Sequence, residues 1–280
     1  MFNVMKWRKV ASFISVILIS VSIFLIYTKG INVGLDFTGG VQMNVSMKDS
    51  NTTIEDIQNI IDEENIEIQK STTPGDFRIT VGVIENPMQQ SDNIKEKIGH
   101  YVESFNSVQV VGPKFGQELV QKSVYALILS LIVITIYVSF RFSIPFALGA
   151  IFSILHDVIL LIGFFVVTQF SFTMVSVALF LMLLGYSIND TIVNYDRIRE
   201  NLSKVSNTLL SDTINQSVNQ MMRRTIYTSI TVIASVLPMA IWGTSVLQEF
   251  GMIIMFGIFI GVYSSIFVAN AILIPLKANR

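Results

Sequence analysis

Six stretches of the chain are apolar over roughly the length of a membrane-spanning helix, which needs about 20 residues. Between the first and second stretches, from about residue 41 to 113, polar residues are frequent and apolar residues recur with the short periods of strands and helices. The pattern therefore predicts a six-helix membrane protein with a small domain outside the membrane. The apolar stretches cover about residues 10–27, 123–140, 145–167, 173–195, 225–242 and 250–274.

The polar segment has the order β-α-β-β-α-β. Alternating apolar residues predict strands over about 41–47, 66–69, 77–81 and 108–111. Helical spacing predicts one helix after an N-cap at Thr52 or Thr53. A second helix is predicted from the apolar residues Ile94, Ile98, Tyr101, Val102 and Phe105. This order predicts a ferredoxin-like domain, in which two helices pack on an antiparallel sheet.

These elements divide the chain into three parts: residues 1–29 with the first helix, an outer domain of residues 30–120, and a five-helix membrane domain of residues 121–280. Lysines and arginines lie at those helix ends that are on the same side of the membrane as the N-terminus, and the last of them are Lys277 and Arg280. The short loops 168–172 and 243–249 carry neither residue type. The positive-inside rule therefore predicts that both termini are cytoplasmic and that the outer domain is extracytoplasmic. Apolar residues at helical spacing within 196–224, starting from Val205, predict an amphipathic segment along the inner membrane surface.

Composition excludes several classes of function. Mean hydropathy is +0.60 and 14% of residues are charged, against about 25% in soluble domains. A net charge of −1 argues against a nucleic-acid partner, and the absence of cysteine excludes disulfides and thiolate metal sites. The two histidines are far apart, and no phosphate-binding loop or nucleophile elbow occurs. We therefore expect a protein that is not an enzyme and needs neither a metal nor an organic cofactor.

An acidic residue, Asp190, lies deep in the fourth apolar stretch, next to Asn189. A helix that starts near Met174 reaches it after 16 residues, or about 24 Å, within a hydrocarbon core of about 30 Å. Ionisable residues at such depth are costly and usually functional. Arg224, at the start of the fifth stretch, is predicted at similar depth. Burial opposes the charge of Asp190 and the guanidinium favours it, so the acid is a candidate for reversible protonation.

Two other interpretations of these polar residues stay open. Asp190 and Arg224 can form a structural ion pair, or the arginine can be an ordinary anchor at the membrane surface. His156 and Asp157 share a face of the third stretch with Gly149 and Ser153. This face predicts either a proton relay or a polar clamp between helices.

Glycines mark further candidate positions. The sequence GLDFTGG contains Gly34, Asp36, Gly39 and Gly40, and predicts a tight turn in which the carboxylate bonds neighbouring amides. We interpret it as a structural junction. Small residues four apart in the sixth stretch predict close helix packing. The structural glycines of the membrane domain are Gly185, Gly257 and Gly261.

Six motifs, in order, resemble the SecF family of the SecDF accessory complex in bacterial protein export. They are GLDFTGG, VGPKFGQEL at 111–119, HDV at 156–158, GYSINDTIVNYDRIREN at 185–201, RTIYTS at 224–229 and GVYSSIF at 261–267. The resemblance covers essentially the whole chain. It implies half of a resistance-nodulation-division (RND)-like transporter in the bacterial cytoplasmic membrane, with protons as the coupling ion. The functional acid and arginine of the family fall on Asp190 and Arg224.

The resemblance also implies partners. These are SecD, the SecYEG translocon, SecA-driven preprotein, YajC or YidC, and membrane lipid. Two alternatives remain: a subunit of a small-molecule RND exporter, and a passive scaffold of the translocon. The first needs a large binding domain, for which an outer segment of 41–113 leaves little room.

Overall fold

The computed structural model describes residues 3–62, 66–70, 74–82, 86–204 and 209–276. Within these ranges, six helices are long and apolar enough to cross a membrane, which confirms the predicted multi-pass membrane protein. The sixth continues through a π-helical turn, Ser264–Val268, into α10, Ala269–Leu273. The first five are α1 Val4–Lys29, α5 Pro113–Arg141, α6 Ile144–Thr168, α7 Met174–Lys204 and α8 Leu210–Trp242, and the sixth begins with α9 Ser245–Tyr263.

The outer domain contains a four-stranded antiparallel sheet with the strand order β2-β3-β1-β4. Together with the β-α-β-β-α-β succession, this order confirms the predicted ferredoxin-like arrangement. A one-turn helix, α2 (Leu35–Thr38), precedes it. The remaining elements are β1 Gly40–Met47, α3 Ile54–Ile61, β2 Ile66–Lys70, β3 Asp76–Val81, α4 Pro87–Ile98 and β4 Val102–Val111.

The alternating residues of the central strands face the two helices and form the core of this domain. Met43 and Ile79 lie opposite each other in β1 and β3 and are fully buried, as are Ile57 of α3 and Ile94 of α4. Helix α3 begins at Thr53, whose side chain accepts a hydrogen bond from the Asp56 amide in a capping box. The apolar periodicity therefore placed both the core and the start of this helix correctly.

The end of α4 was predicted too far along the chain. The helix ends at Ile98, and the Tyr101 amide donates to the Ile98 carbonyl to close a turn. Val102 and Phe105 belong to β4, where they pair with Met47 and Val45. Two β-bulges interrupt this pairing, so the apolar residues of the strand have lost strict alternation. As a result, Val102 and Phe105 are three residues apart, a spacing that is typical of one face of a helix.

The segment 196–224 is not a separate surface helix. Its first part extends α7 to Lys204 and its last part begins α8 at Leu210, while Val205 lies outside the described residues. Ile214 and Val218 are fully buried against Ile198 and other residues of the bundle. The apolar stripe was read correctly as one face of a helix. It packs against protein because α7 extends far enough beyond the membrane to cover it.

Helices α6, α7 and α9 form the centre of the membrane domain. Of the 18 most apolar consecutive residues in each of these spans, 56% are buried, against 11% to 17% in α1, α5 and α8. The candidate acids lie on the central helices α6 and α7. Much of the surface of the other three helices is left for lipid or for another protein.

Candidate functional site

Asp190 is buried in the middle of α7, with 5% of the residue exposed. Its Oδ2 atom makes no hydrogen bond to any residue that the structure describes. The Nδ2 atom of Asn194, one turn further along α7, is also buried without such a partner. Buried polar groups are normally hydrogen-bonded, so two unsatisfied ones a turn apart need an explanation.

Arg224 of α8 is the positive charge that acts on Asp190. It is exposed, and no ion pair within 4.0 Å joins the two side chains. Helices α7 and α8 meet instead through Tyr186, whose hydroxyl lies 3.2 Å from Ser229 Oγ. The structure therefore brings the predicted acid and arginine into electrostatic range but leaves them unpaired, so the two side chains do not form the alternative structural ion pair.

Asn189 lies beside this acid but points away from the bundle. It is exposed, and so is Gly185 one turn earlier, where an added Cβ would meet nothing within 4 Å. An exposed amide at membrane depth is unfavourable in lipid. This face of α7 is suited to contact with another protein or with water.

His156 and Asp157 form a fully enclosed polar cluster in the bundle, each with 2% exposure. The His156 Nδ1 atom lies 3.0 Å from Asp157 Oδ1. The hydroxyls of Ser187 on α7 and Ser264 in the π-turn both donate to Asp157 Oδ2, the second at 2.8 Å. The carboxylate thus joins three central elements and has both of its oxygens engaged.

The other ring nitrogen of His156, Nε2, is buried without a partner among the described residues. The imidazole stacks on Tyr263, with ring centroids 5.8 Å apart. The Tyr263 hydroxyl donates to the Ala11 carbonyl at 2.7 Å, so the cluster also holds α1. A buried network of this kind fixes how helices sit against one another.

The glycine-rich junction holds the outer end of α7. Asp36 Oδ2 accepts a hydrogen bond from the Met174 amide at 2.9 Å, which satisfies one of the free amides at that helix start. The sequence predicted that the Asp36 carboxylate accepts hydrogen bonds from neighbouring amides, but its partner in the structure is 138 residues away. Gly34 donates to the Phe172 carbonyl at 2.9 Å in the same place. The junction therefore connects the outer domain to the helix that carries Asp190.

Two of the junction glycines have the expected positive φ, and one does not. Gly39 has φ +76° and Gly40 has φ +129°, whereas Gly34 has φ −72°. Gly34 is required for a different reason, because an added Cβ would lie 2.8 Å from Thr173 Cγ2. Its small size allows the chain to approach the start of α7.

The glycines of α9 lie directly against α7. A Cβ on Gly257 would lie 2.4 Å from Leu183 Cδ1, and one on Gly261 would lie 3.1 Å from Ser187 Cβ. Small residues at these positions permit the close approach of the two helices. The same approach brings Ser264 within reach of Asp157.

A second connection between outer domain and membrane domain was not predicted. Arg78 of β3 forms an ion pair with Glu249 of α9 at 3.7 Å, with side-chain exposures of 11% and 20%. Glu249 is the only acid of the predicted loop 243–249, but nothing in the sequence identified its partner. The sheet is therefore connected to α9 as well as to α7.

Two family models match this chain, and both describe SecD and SecF proteins. Residues 90–279 match the family model described as protein export membrane protein SecD/SecF, C-terminal, and residues 24–50 match the SecD/SecF GG motif. The first range contains Asp157, Asp190 and Arg224. The second contains the glycine-rich junction.

Full-length relatives agree with these matches. The protein translocase subunit SecF of Magnetococcus marinus is 38% identical over 283 residues, covering 98% of this chain and 91% of the relative. The SecF of Haemophilus influenzae is 37% identical and covers 99% of this chain and 86% of its own length. A SecDF subunit of Brucella abortus is 36% identical, and the match covers 36% of that longer protein.

Two solved structures share the fold. The crystal structure of SecDF from Thermus thermophilus, described as a translocon-associated membrane protein, superposes with a TM-score of 0.90 at 29% identity over 99% of this chain. A SecDF structure described as the super-membrane-facing form gives a TM-score of 0.74 at the same identity. The chain spans 38% and 39% of these two longer chains.

Proposed function

The chain belongs to the SecF family of protein translocase subunits, and on that basis we propose that it is an auxiliary subunit of the Sec translocase that promotes late steps of protein export. It works together with SecD in the bacterial cytoplasmic membrane, with both termini cytoplasmic. It uses the proton motive force and performs no enzymatic chemistry of its own. The SecF and SecDF relatives, which are named protein translocase subunits, support the role in export.

The observation that carries the proton coupling is the state of Asp190. Its carboxylate is buried, lacks a hydrogen-bond partner on Oδ2 among the described residues, and is attracted by Arg224 without being paired to it. Taking up or losing a proton changes how strongly this acid is drawn to the arginine. A proton that crosses the membrane releases about 2.3 kcal/mol per 100 mV, which such a change can convert into motion.

Two contacts supply a path from the acid to the outer domain. Helix α7 carries Asp190 and is capped at its outer end by Asp36, while α9 is joined to the sheet by the Arg78–Glu249 pair. A small shift of α7 against α9 therefore acts on the outer domain at two points. One of the two SecDF structures is described as the super-membrane-facing form, which supports the idea that such proteins adopt more than one arrangement.

The open face of α7 at Gly185 and Asn189 supports SecD as the partner. In the relatives named SecDF, a single longer chain includes a part similar to this one. We propose that SecD provides the second wall beside Asp190. We extend the proposal to SecYEG, SecA-driven preprotein, and YajC or YidC as the wider assembly.

The test is protein export in cells that carry Asp190→Asn or Arg224→Met at normal protein level. Both variants should lose the stimulation of export, because each removes one of the two interacting charges. Asp196→Asn is the matched control, since Asp196 lies on the same helix in exposed ion pairs with Arg141 and Arg199. Wild-type export by both test variants would support the passive scaffold instead.

A further inference from the structure

A cavity of ≈ 640 Å³ opens at the end of the bundle where the N-terminus lies. It lies between the start of α1 and the start of α8, and Ile274 borders it beyond α10. Three cations of α1 line it: Lys6, Arg8 and Lys9. None of the three side chains makes an ion pair with a residue that the structure describes. Among the residues that the structure describes, Asp212 is the only acid that lines the cavity.

The cavity is a built junction. Asn3 caps α1 by accepting from the Lys6 amide at 3.0 Å, and it also accepts from Asn215 Nδ2 at 3.0 Å. Asn215 Oδ1 accepts in turn from the Met5 amide at 2.9 Å. The two bonds to Asn215 fix the first turn of α1 against α8. The turns of α1 that carry the three cations are therefore held beside the cavity.

The charges at this junction are unbalanced. Lys6, Arg8 and Lys9 lie in the first two turns of α1, where the helix dipole favours anions and opposes cations. The start of α8 adds a second positive helix end, because Leu209 provides no side-chain cap. One carboxylate, Asp212, does not offset three cations. An anion in the cavity would be stabilised by all of these groups together.

The depth of the cavity identifies the source of the anion. The apolar run of α1 begins at Val10, so at 1.5 Å per residue the cations lie about 2–6 Å beyond the hydrocarbon. Lipid headgroups occupy this layer, which is about 5–8 Å thick on each side. Trp7 is 51% exposed between two of the cations, as expected of an aromatic anchor at the membrane interface. Leu209 and Ile274 give the cavity an apolar border suited to the upper part of an acyl chain.

We propose that this cavity binds the phosphate headgroup of an anionic phospholipid, with Lys6, Arg8 and Lys9 as its ligands. The proposed function contributes only the orientation, which assigns the site to the cytoplasmic leaflet. Binding of the lipid would fix the junction of α1 and α8 at one end of the bundle. Because α8 also carries Arg224, an occupied site would hold the helix of the proposed arginine in place.

The two tryptophans of the chain allow a direct test, since Trp7 lies beside the cavity and Trp242 ends α8 at the opposite side of the membrane. The purified full chain is placed in nanodiscs with brominated phosphatidylglycerol or brominated phosphatidylcholine at equal mole fraction. Trp242→Phe isolates the fluorescence of Trp7, and Trp7→Phe isolates that of Trp242. The anionic lipid should quench Trp7 more strongly than the zwitterionic lipid does, whereas both should quench Trp242 equally.

Variants distinguish a site from general surface charge. Arg8→Gln should lower the preference of Trp7 for the anionic lipid about fivefold, the equivalent of about 1 kcal/mol per cation. Ser211→Phe keeps the cations but fills the cavity, and should also reduce the preference. Arg199→Gln is the control at the same end, because Arg199 already pairs with Asp196 at 3.3 Å.

Three results would overturn the proposal. The first is equal quenching of Trp7 by the two lipids. The second is an equal loss in Arg8→Gln and Arg199→Gln, which would indicate unspecific attraction. The third is reversal of the quenching by inorganic phosphate but not by chloride at the same ionic strength, which would assign the site to free phosphate. The measurement involves neither export nor protons, so it can fail while the proposed function stands.

Discussion

Replacement of Gly40 by alanine should destabilise the outer domain at the start of its first strand. Gly40 has φ +129°, and an added Cβ would lie 2.2 Å from the Val81 carbonyl oxygen of the neighbouring strand. A residue other than glycine in such a conformation costs about 1–3 kcal/mol. The clash is with backbone, so β1 and β3 must separate where Val41 pairs with Val81. We expect Gly40→Ala to destabilise the outer domain by about 3 kcal/mol or more.

Two other glycines separate the causes of this effect. Gly30 has φ +71° and ψ 173° with nothing within 4 Å of an added Cβ, so Gly30→Ala should carry only the conformational cost of about 1–3 kcal/mol, without a backbone clash. Gly112 has neither feature and precedes Pro113 at the start of α5; its replacement should cost less than about 1 kcal/mol. Hydrogen exchange of β1 and β3 in the full chain in detergent reports the opening free energy. A loss in Gly40→Ala no greater than in Gly30→Ala would refute the reasoning from backbone contact.

Two further predictions concern buried and exposed acids. Asp157→Ala should lower stability by about 3 kcal/mol in thermal unfolding in micelles, because it leaves two hydroxyls and His156 without their shared acceptor. Asp196→Ala, at a half-exposed ion pair, should cost about 1 kcal/mol or less. Similar losses in the two variants would contradict a structural role for the cluster. In the outer domain, the Thr53 hydroxyl and amide bond to Asp56 and lower the pKa of Asp56 below its ordinary value of 3.8. The charged form is favoured on folding, so this stabilisation is present above the ordinary pKa and is lost as the pH falls through the lowered one. Hydrogen exchange of α3 in acid should show this loss in the wild type and less of it in Asp56→Asn.

The fold could be predicted where one face of an element is buried and its neighbours are close in sequence. The alternation of Met43 and Ile79 and the cap at Thr53 each depend on local pattern, and the structure places all three as expected. The prediction failed at Phe105, because bulges in β4 shift the apolar residues out of alternation. It failed again in the segment 196–224, because periodicity identifies an apolar face without identifying what covers it.

The candidate site was predictable in its residue types but not in its contacts. The cost of an acid in hydrocarbon is a property of the residue and its depth, so Asp190 and Asp157 could be selected from sequence. Their surroundings depend on contacts over long separations. Ser264 reaches Asp157 across 107 residues, and Asp36 reaches Met174 across 138. Neither hydroxyl nor carboxylate carries a local signal of its distant partner.

The contrast between the two acids is the reason for proposing Asp190, and not Asp157, as the residue that exchanges protons. Asp157 has both oxygens engaged by His156, Ser187 and Ser264, so a change of protonation there would require three contacts to rearrange at once. Among the described residues, Oδ2 of Asp190 has no hydrogen-bond partner and the nearby Arg224 is not paired with the acid, so Asp190 can change its state with little rearrangement. Ser187 precedes Asp190 by one turn of α7. The closed cluster therefore gives α7 a fixed point beside the acid, and movement of the charge at Asp190 can be transmitted along the helix to the junction at Asp36.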